Sequence, residues 1–200
     1  MITVALTKGR LMKSTLEYLE ENGLPHYVES LSDSNRSLYI VVNNVKFLFA
    51  KGPDVPVYVE KGVADLGIVG QDILMENPAN VLNVSKLPFG HCYIAVAGPP
   101  GVKKIERVAT SFTNIAFNYF REKRQDIQLT HLHGSVELAP ILNLSDVIVD
   151  IVQTGTTLKE NGLIEYEKIA DIQAQLIANK QTYYLKEEEI YSFIKEIGVI

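Results

Sequence analysis

The sequence predicts an α/β protein built from two lobes. Apolar runs rich in β-branched residues alternate with amphipathic stretches along the chain, which is the pattern of α/β proteins. The pattern changes around 88–100, where a strand is followed by a turn rich in proline and glycine. A chain of 200 residues suffices for two small domains with cores of their own. We therefore predict one lobe from 1–87 plus 169–200, a second from 88–168, and a ligand cleft between them.

The first lobe is predicted to begin with a buried strand at 3–6 and a helix after it. Apolar residues recur at helical spacing over 12–19, and Gly23 is suited to end that helix. Asn43-Asn44 favours a hairpin, and Asp54 is predicted to cap a short helix. Further strands are predicted at 38–42, 45–49 and 66–69.

The second lobe is predicted from four compact apolar runs with helices between them. These predicted strands are 92–97, 108–110, 129–132 and 147–152. Residues 169–178 are predicted as one further extended run. The last stretch carries apolar residues at i, i+3, i+4 and i+7 over 190–197, which predicts an amphipathic helix that returns to the first lobe.

Composition limits the classes of partner. The net charge of −5 argues against binding to duplex nucleic acid, yet small phosphorylated ligands need only a few local cations. No apolar run is long enough to cross a bilayer. Cys92 is the single cysteine, so an intrachain disulfide is impossible and a thiolate metal cluster is not expected. We therefore expect a cytoplasmic protein with neither nucleic acid nor membrane as partner.

The strongest chemical signal is the segment 137–158. A buried strand at 147–152 runs into the turn Thr154-Gly155-Thr156-Thr157, whose glycine, free N–H groups and hydroxyls suit a phosphate monoester. Asp150 lies just upstream, where a carboxylate can accept hydrogen bonds from ribose hydroxyls. Hydroxyl-rich turns are common, so from the residues alone a plain helix cap remains the alternative.

This segment resembles the signature of the ATP phosphoribosyltransferase family. Three other blocks, 5–11, 64–72 and 134–137, also resemble that family, so the resemblance runs from Ile2 to about Ala178. It implies two α/β lobes around a cleft, similar to type II periplasmic binding proteins. It also implies transfer of the phosphoribosyl group of phosphoribosyl pyrophosphate (PRPP) to N1 of the ATP adenine, the first step of histidine biosynthesis.

The resemblance also implies three groups of site residues. Those expected to bind PRPP are Glu137, Asp150, Thr154, Gly155, Thr156 and Thr157. Those expected on the ATP side are Lys8, Gly9, Arg10, Asp65, Gly67 and Asp72. The cations expected to stabilise the departing pyrophosphate are Arg10, Arg36 and Lys51.

Some of these residues keep a plainer interpretation. Lys8 and Arg10 could be solvated charges, although cations at a helix start oppose its dipole and thus favour an anionic ligand. Asp72 could simply occupy the first turn of a helix, and Gly67 could only permit tight packing. His131 and His133 alternate on one face, and we interpret them as ordinary polar residues because no third metal ligand is evident.

Two positions depart from the family pattern. Asn143 stands where the signature has glycine, and asparagine tolerates the left-handed conformation that a helix end requires there. Lys51 stands where relatives carry arginine, and lysine lacks the bidentate fork toward a phosphate.

The implied reaction needs no covalent enzyme intermediate, which agrees with the lack of a credible Ser–His or Cys–His pair. Mg²⁺ is the expected cofactor, held mainly by the substrates, and the residue that touches it is unassigned. The implied partners are a second catalytic subunit and a separate regulatory subunit that resembles a histidyl-tRNA synthetase. The alternative is a free-standing, unregulated enzyme.

Other functions also fit parts of the sequence. A solute-binding module without chemistry would explain the two lobes, but not a phosphate-type turn together with Lys8-Gly9-Arg10. A phosphoribosyltransferase that acts on a free base usually carries paired acidic residues before its phosphate loop, whereas Asp150 has no acidic neighbour. A purely structural protein is the third alternative.

Overall fold

The computed structural model describes residues 1–32 and 37–199, and the chain forms two compact units. Unit 1 consists of Met1–Gly90 and Gln173–Ile200, and unit 2 consists of His91–Ile172. In chain order the strands are β1 (Ile2–Thr7), β2 (Tyr39–Val42), β3 (Val45–Ala50), β4 (Leu66–Gly70), β5 (Leu82–Lys86), β6 (Cys92–Gly98), β7 (Arg107–Thr110), β8 (Gln128–His131), β9 (Val147–Val152), β10 (Ile164–Ile172) and β11 (Ala174–Ala178). The helices are α1 (Arg10–Glu21), α2 (Pro25–Ser32), α3 (Val55–Glu60), α4 (Gln71–Glu76), α5 (Thr113–Glu122), α6 (Leu138–Ile141), α7 (Thr156–Glu160), α8 (Thr182–Leu185) and α9 (Glu187–Glu196).

Unit 1 contains a mixed six-stranded sheet in the order β2-β3-β1-β4-β11-β5. Strand β1 is parallel to both β3 and β4, whereas β11 is antiparallel to β4 and to β5. The carboxyl ends of β1, β3, β4 and β5 therefore meet at one edge, which we call the carboxyl edge of unit 1. Ligands of open α/β sheets bind at such edges.

Helices cover both faces of this sheet. Helices α1, α2 and α9 pack on one face, where Tyr27, Leu31 and Ile194 are almost fully buried. The other face carries α3 and α4 over a smaller cluster that includes Val55 and Ile177. The predicted amphipathic helix near the end of the chain is confirmed as α9, because its apolar stripe faces the core.

The predicted hairpin is confirmed. Strands β2 and β3 pair antiparallel, with Val42 opposite Val45. Asn43 and Asn44 between them have φ of 46° and 64°, as both central residues of a type I′ turn require.

The prediction that Asp54 caps a helix is wrong. Helix α3 is present, but the Asp54 side chain makes no capping hydrogen bond. A 3₁₀ turn, Gly52–Asp54, leads into the helix, so Asp54 already has the helical φ of −85° and ψ of −23°. A side-chain cap needs extended backbone at that position.

Unit 2 contains a mixed five-stranded sheet in the order β10-β6-β9-β7-β8. Strands β7, β8 and β9 are mutually parallel, and β6 is antiparallel to β9 and to β10. The carboxyl ends of β7, β8 and β9 therefore lie at one edge, the carboxyl edge of unit 2. The core on one face contains Ile148 and Val152 of β9 with residues of α6 and α7.

The single extended run predicted at 169–178 is wrong, because the chain breaks at Gln173. Strand β10 pairs with β6 in the sheet of unit 2, and β11 pairs with β4 and β5 in the sheet of unit 1. An apolar strand can pair in either sheet, so the apolar pattern does not show where the chain passes from the sheet of unit 2 to that of unit 1. Within the described residues no helix is both long enough and apolar enough to cross a bilayer.

Candidate active site

The carboxyl edge of unit 1 brings two cationic segments together. Lys8-Gly9-Arg10 follows β1 directly, and Lys51 follows β3. The two segments are joined by a hydrogen bond from the Lys8 N–H to the Ala50 carbonyl, 3.0 Å long. Gly9 has φ 89° and ψ −141°, a conformation that glycine alone adopts at little cost, and it leads into α1. The basic segments therefore lie side by side.

Asp72 belongs to the same edge, in the first turn of α4 after β4. Burial raises the pKa of its carboxyl group, while backbone hydrogen bonds and the nearby Arg10 guanidinium act in the opposite direction. Its side chain folds back over Gly70, where an added Cβ would lie 2.1 Å from the Asp72 Oδ1. The glycine at position 70 thus leaves room for the carboxylate in this position, and a larger residue there would require the Asp72 side chain to move.

The structure does not bring Asp65 and Gly67 to this edge. Asp65 precedes β4 and is only 3% exposed, and its carboxylate accepts hydrogen bonds from the Thr3 N–H at 2.8 Å and from Lys186 Nζ at 2.9 Å. Gly67 lies inside β4, where a Cβ would come within 2.8 Å of a Val59 methyl carbon. Residue order alone could have shown this for Asp65, because a residue before a strand belongs at the opposite edge. Arg36 falls outside the described residues.

The hydroxyl-rich turn lies at the carboxyl edge of unit 2, directly after β9. Gly155 has φ 70°, which lets the chain reverse into α7 without strain. The hydroxyl oxygens of Thr154 and Thr156 are 3.0 Å apart, so one hydroxyl group donates a hydrogen bond to the other across the turn. Thr157 is exposed in the first turn of α7. The turn thus presents its hydroxyl groups to solvent.

Asp150 and Glu137 form an acidic pair beside this turn. Burial, with a smaller contribution from the negative charge of Glu137, raises the pKa of Asp150 to about 6. The Ile151 N–H donates to Asp150 Oδ1 at 2.8 Å and partly offsets these effects. A partly buried carboxylate next to a second one is an acceptor for hydroxyl groups or for a cation.

His131 and His133 lie next to each other in unit 2. The rings of His131 and His133 meet edge to face, with centroids 4.6 Å apart. Among residues 1–32 and 37–199, no group of three or more histidine, cysteine and acidic residues is placed to hold a metal ion. A preformed protein cage for a metal is therefore absent from the described part of the chain.

The expected helix end at Asn143 is confirmed. Asn143 has φ 58°, in the left-handed region, directly after α6 and Leu142. Its carbonyl accepts a hydrogen bond from Arg107 Nη1 at 2.8 Å. Asparagine thus serves in the conformation for which the family pattern has glycine.

Two residues beside the turn were not identified from the sequence. The Tyr93 hydroxyl lies 2.8 and 2.9 Å from the two carboxylate oxygens of Glu165. Glu165 Oε1 is in turn 3.4 Å from the position that a Cβ on Gly155 would take. The two residues lie 72 positions apart in different strands, so no local pattern could have paired them.

Known proteins match this chain in sequence over most or all of its length. Residues 51–198 match the family model of HisG, ATP phosphoribosyltransferase. The chain is 48% identical over 200 residues to the ATP phosphoribosyltransferase of Staphylococcus carnosus (strain TM300), covering 100% of this chain and 98% of that protein. It is 47% identical over 199 residues to the ATP phosphoribosyltransferase of Staphylococcus aureus (strain MRSA252), with the same coverage.

A solved structure with the same fold is the ATP phosphoribosyl transferase (HisG:HisZ) complex from Thermotoga maritima. It aligns with a TM-score of 0.84 and 34% identity over 98% of this chain and 96% of the matched chain. The family match covers most of the chain, the curated relatives match over its whole length, and the fold is shared. The chain therefore belongs to the ATP phosphoribosyltransferase family.

Proposed function

We propose that the carboxyl edge of unit 1 binds ATP and that of unit 2 binds PRPP. ATP phosphoribosyltransferases are pentosyltransferases that transfer the phosphoribosyl group of PRPP to ATP, the first step of histidine biosynthesis. The observation that carries the proposal is the turn after β9, where a left-handed glycine and exposed hydroxyls follow a partly buried aspartate. This division also gives the two predicted lobes their roles.

The PRPP site is proposed on the turn and the acidic pair. The 5-phosphate would accept hydrogen bonds from the backbone N–H groups and hydroxyls of Thr154, Gly155, Thr156 and Thr157. Asp150 and Glu137 would accept hydrogen bonds from the ribose hydroxyls. A ribose hydroxyl would donate a hydrogen bond to the carboxylate and replace the water that burial removes. Binding would therefore offset the desolvation that raises the pKa of Asp150.

The ATP site is proposed on Lys8, Gly9, Arg10 and Asp72. The two cations and the N–H groups in the first turn of α1 suit phosphate oxygens, and Asp72 attracts Arg10 by charge at the same edge. Lys51, beside Lys8 through the Ala50 carbonyl, is proposed to stabilise the departing pyrophosphate together with Arg10. Arg36 keeps that role by resemblance alone. Asp65 and Gly67 are not carried into this site.

The proposed reaction is a direct displacement at the anomeric carbon. N1 of the adenine forms a bond to that carbon while the bond to the pyrophosphate oxygen breaks, and the electron pair leaves with pyrophosphate. The described residues then contribute alignment of two anions and stabilisation of the leaving charge. Mg²⁺, held mainly by substrate oxygens with the Asp150–Glu137 pair as adjacent carboxylates, would neutralise the pyrophosphate.

A hetero-oligomer is proposed for the regulated enzyme. The Thermotoga maritima protein was solved as a HisG:HisZ complex, and this chain shares its fold over 98% of its length. We propose that this chain likewise forms catalytic dimers that bind a separate regulatory subunit resembling a histidyl-tRNA synthetase. Adding that subunit to the purified chain should raise turnover and confer inhibition by histidine. Full activity without it, and no change on adding it, would contradict the hetero-oligomer.

Two measurements test the substrate assignment. Pyrophosphate release should require ATP, PRPP and Mg²⁺ together, whereas a solute-binding module would bind a ligand without releasing pyrophosphate. Thr157→Val removes one exposed hydroxyl from the turn and should weaken PRPP binding by on the order of tenfold, as measured by isothermal titration calorimetry. ATP affinity is the internal control and should not change. Unaltered PRPP affinity in a folded Thr157→Val protein would reject the turn as the phosphate site.

A further inference from the structure

The carboxylate of Glu165 lies against the turn that we propose for the 5-phosphate. Its Oε1 is 3.4 Å from the position that a Cβ on Gly155 would occupy. A free carboxylate there would repel a phosphate dianion, since two charges at such short range interact measurably even in water. Glu165 itself is exposed, so burial does not hold its side chain in place.

Tyr93 binds that carboxylate in its position beside the turn. Its hydroxyl lies 2.8 and 2.9 Å from the two oxygens of Glu165, so the donor spans both. Tyr93 stands opposite Val152, the last residue of β9, and the Val152 side chain is itself 3.9 Å from the Cβ position on Gly155. The hydrogen bond to Glu165 raises the pKa of Tyr93, so the hydroxyl keeps its proton as donor. Tyrosine, glutamate and turn thus form one chain of contacts.

We infer that Tyr93 and Glu165 are positioning residues for the PRPP-binding turn: the tyrosine hydroxyl fixes the glutamate beside Gly155, and its hydrogen bond offsets part of the negative charge that the phosphate meets there. This inference rests on the proposed assignment of the turn to PRPP. Neither residue touches the reacting atoms in this account. Their effect is on the shape of the turn and on the charge that the incoming phosphate meets.

The inference predicts opposite signs for two conservative variants. Tyr93→Phe removes the donor that offsets the charge of Glu165 and should raise the Kd for PRPP about threefold to tenfold, with ATP affinity unchanged. Glu165→Gln keeps an oxygen acceptor for the tyrosine and removes the charge, so it should lower the Kd for PRPP about twofold to fivefold. The double variant should bind PRPP at least as well as the wild type, because its glutamine carries no charge for the missing donor to offset.

Tyr166→Phe is the matched control. Tyr166 also lies in unit 2, on the same strand as Glu165. Its hydroxyl accepts a hydrogen bond from the Val102 N–H at 3.0 Å and donates one to the Pro99 carbonyl, away from the turn. It loses a comparable hydroxyl and should leave PRPP affinity unchanged. If Tyr93 and Glu165 had only a structural role, Tyr93→Phe and Glu165→Gln would both lower the melting temperature, and their PRPP affinities would not change in opposite directions.

The experiment is titration calorimetry of the full chain with PRPP and Mg²⁺, supported by thermal melts of each variant. Tyr93→Phe with wild-type PRPP affinity, or Glu165→Gln with weakened affinity, overturns the inference. Thr157→Val separates this failure from that of the proposed function. If Thr157→Val weakens PRPP binding and Tyr93→Phe does not, only the positioning role is lost; if neither does, the turn is not the phosphate site.

Discussion

The role of Asp65, a residue of a family motif, can be tested directly, because the structure indicates a contribution to stability and not to ATP binding. We predict that Asp65→Asn destabilises the protein and leaves ATP binding intact. The variant keeps an acceptor for the Thr3 N–H but loses the charge that pairs with Lys186 Nζ at 2.9 Å. Removing one partner of a buried pair costs about 3–5 kcal/mol. Because the Lys186 side chain is 36% exposed and can regain water, we expect about 2–3 kcal/mol.

For a chain of this size that loss corresponds to a melting temperature lowered by about 4–12 °C. Differential scanning calorimetry measures the shift, and calorimetric titration with ATP well below the transition measures binding. Asp171→Asn is the control, because it breaks the exposed ion pair with Lys168 and should leave the melting temperature unchanged. A wild-type melting temperature combined with weakened ATP binding in Asp65→Asn would refute the structural role and restore Asp65 to the ATP site.

The remaining predictions concern unit 2 and the leaving group. The pKa of Asp150 is about 6 in the folded protein against an ordinary value of 3.8 for an aspartate, so the folded state binds more protons than the unfolded state between these two values. The free energy of unfolding should therefore fall as the pH rises from about 4 to about 6. Asp150→Asn should stabilise the unliganded protein at pH 7 by roughly 1–3 kcal/mol, as measured by urea titration. The same variant should bind PRPP more weakly. Lys51→Ala should lower kcat by on the order of tenfold to a hundredfold with smaller changes in either KM, and Lys51→Arg should retain activity; an alanine variant with normal turnover would show a solvated surface charge. Asn143→Gly should preserve the melting temperature. Asn143→Ala should lower the free energy of unfolding by about 1 kcal/mol, because alanine tolerates a φ of 58° poorly. Equal stabilities of the two variants would contradict this expectation.

The sequence predicts elements more securely than their assembly. The hairpin at Asn43-Asn44 and the stripe of α9 follow from local turn chemistry and helical spacing, and both are confirmed. The break at Gln173 is not predictable in this way, since both flanking strands are equally apolar and the change of sheet depends on distant partners. Helix α2 was missed because Pro25–Ser32 carries only a weak apolar periodicity.

The same limit applies to the candidate site. The turn at Thr154–Thr157 is visible because hydroxyls and glycine follow a strand, which is a local signal. The pairing of Asp65 with Lys186 joins residues 121 positions apart, and no spacing rule connects them. A family motif does not show whether one of its residues serves binding or stability. For Asp65 and Gly67 the surrounding contacts indicate stability, because Asp65 accepts a hydrogen bond from the Thr3 N–H and Gly67 lies in close packing against Val59.

The position of β11 imposes an order on folding during synthesis. Strand β5 pairs only with β11 within the described sheet, and β11 also pairs with β4. The sheet of unit 1 therefore stays incomplete until residues 174–178 have left the ribosome, although its first strands emerge at the start. All strands of unit 2 have been made by Ile172, and its first and last strands are joined there by the pairing of Ile172 with Cys92. The inserted unit can thus fold before β11 of the surrounding unit has been made, and the pairing of Ile172 with Cys92 brings together the two points where the chain leaves and re-enters unit 1.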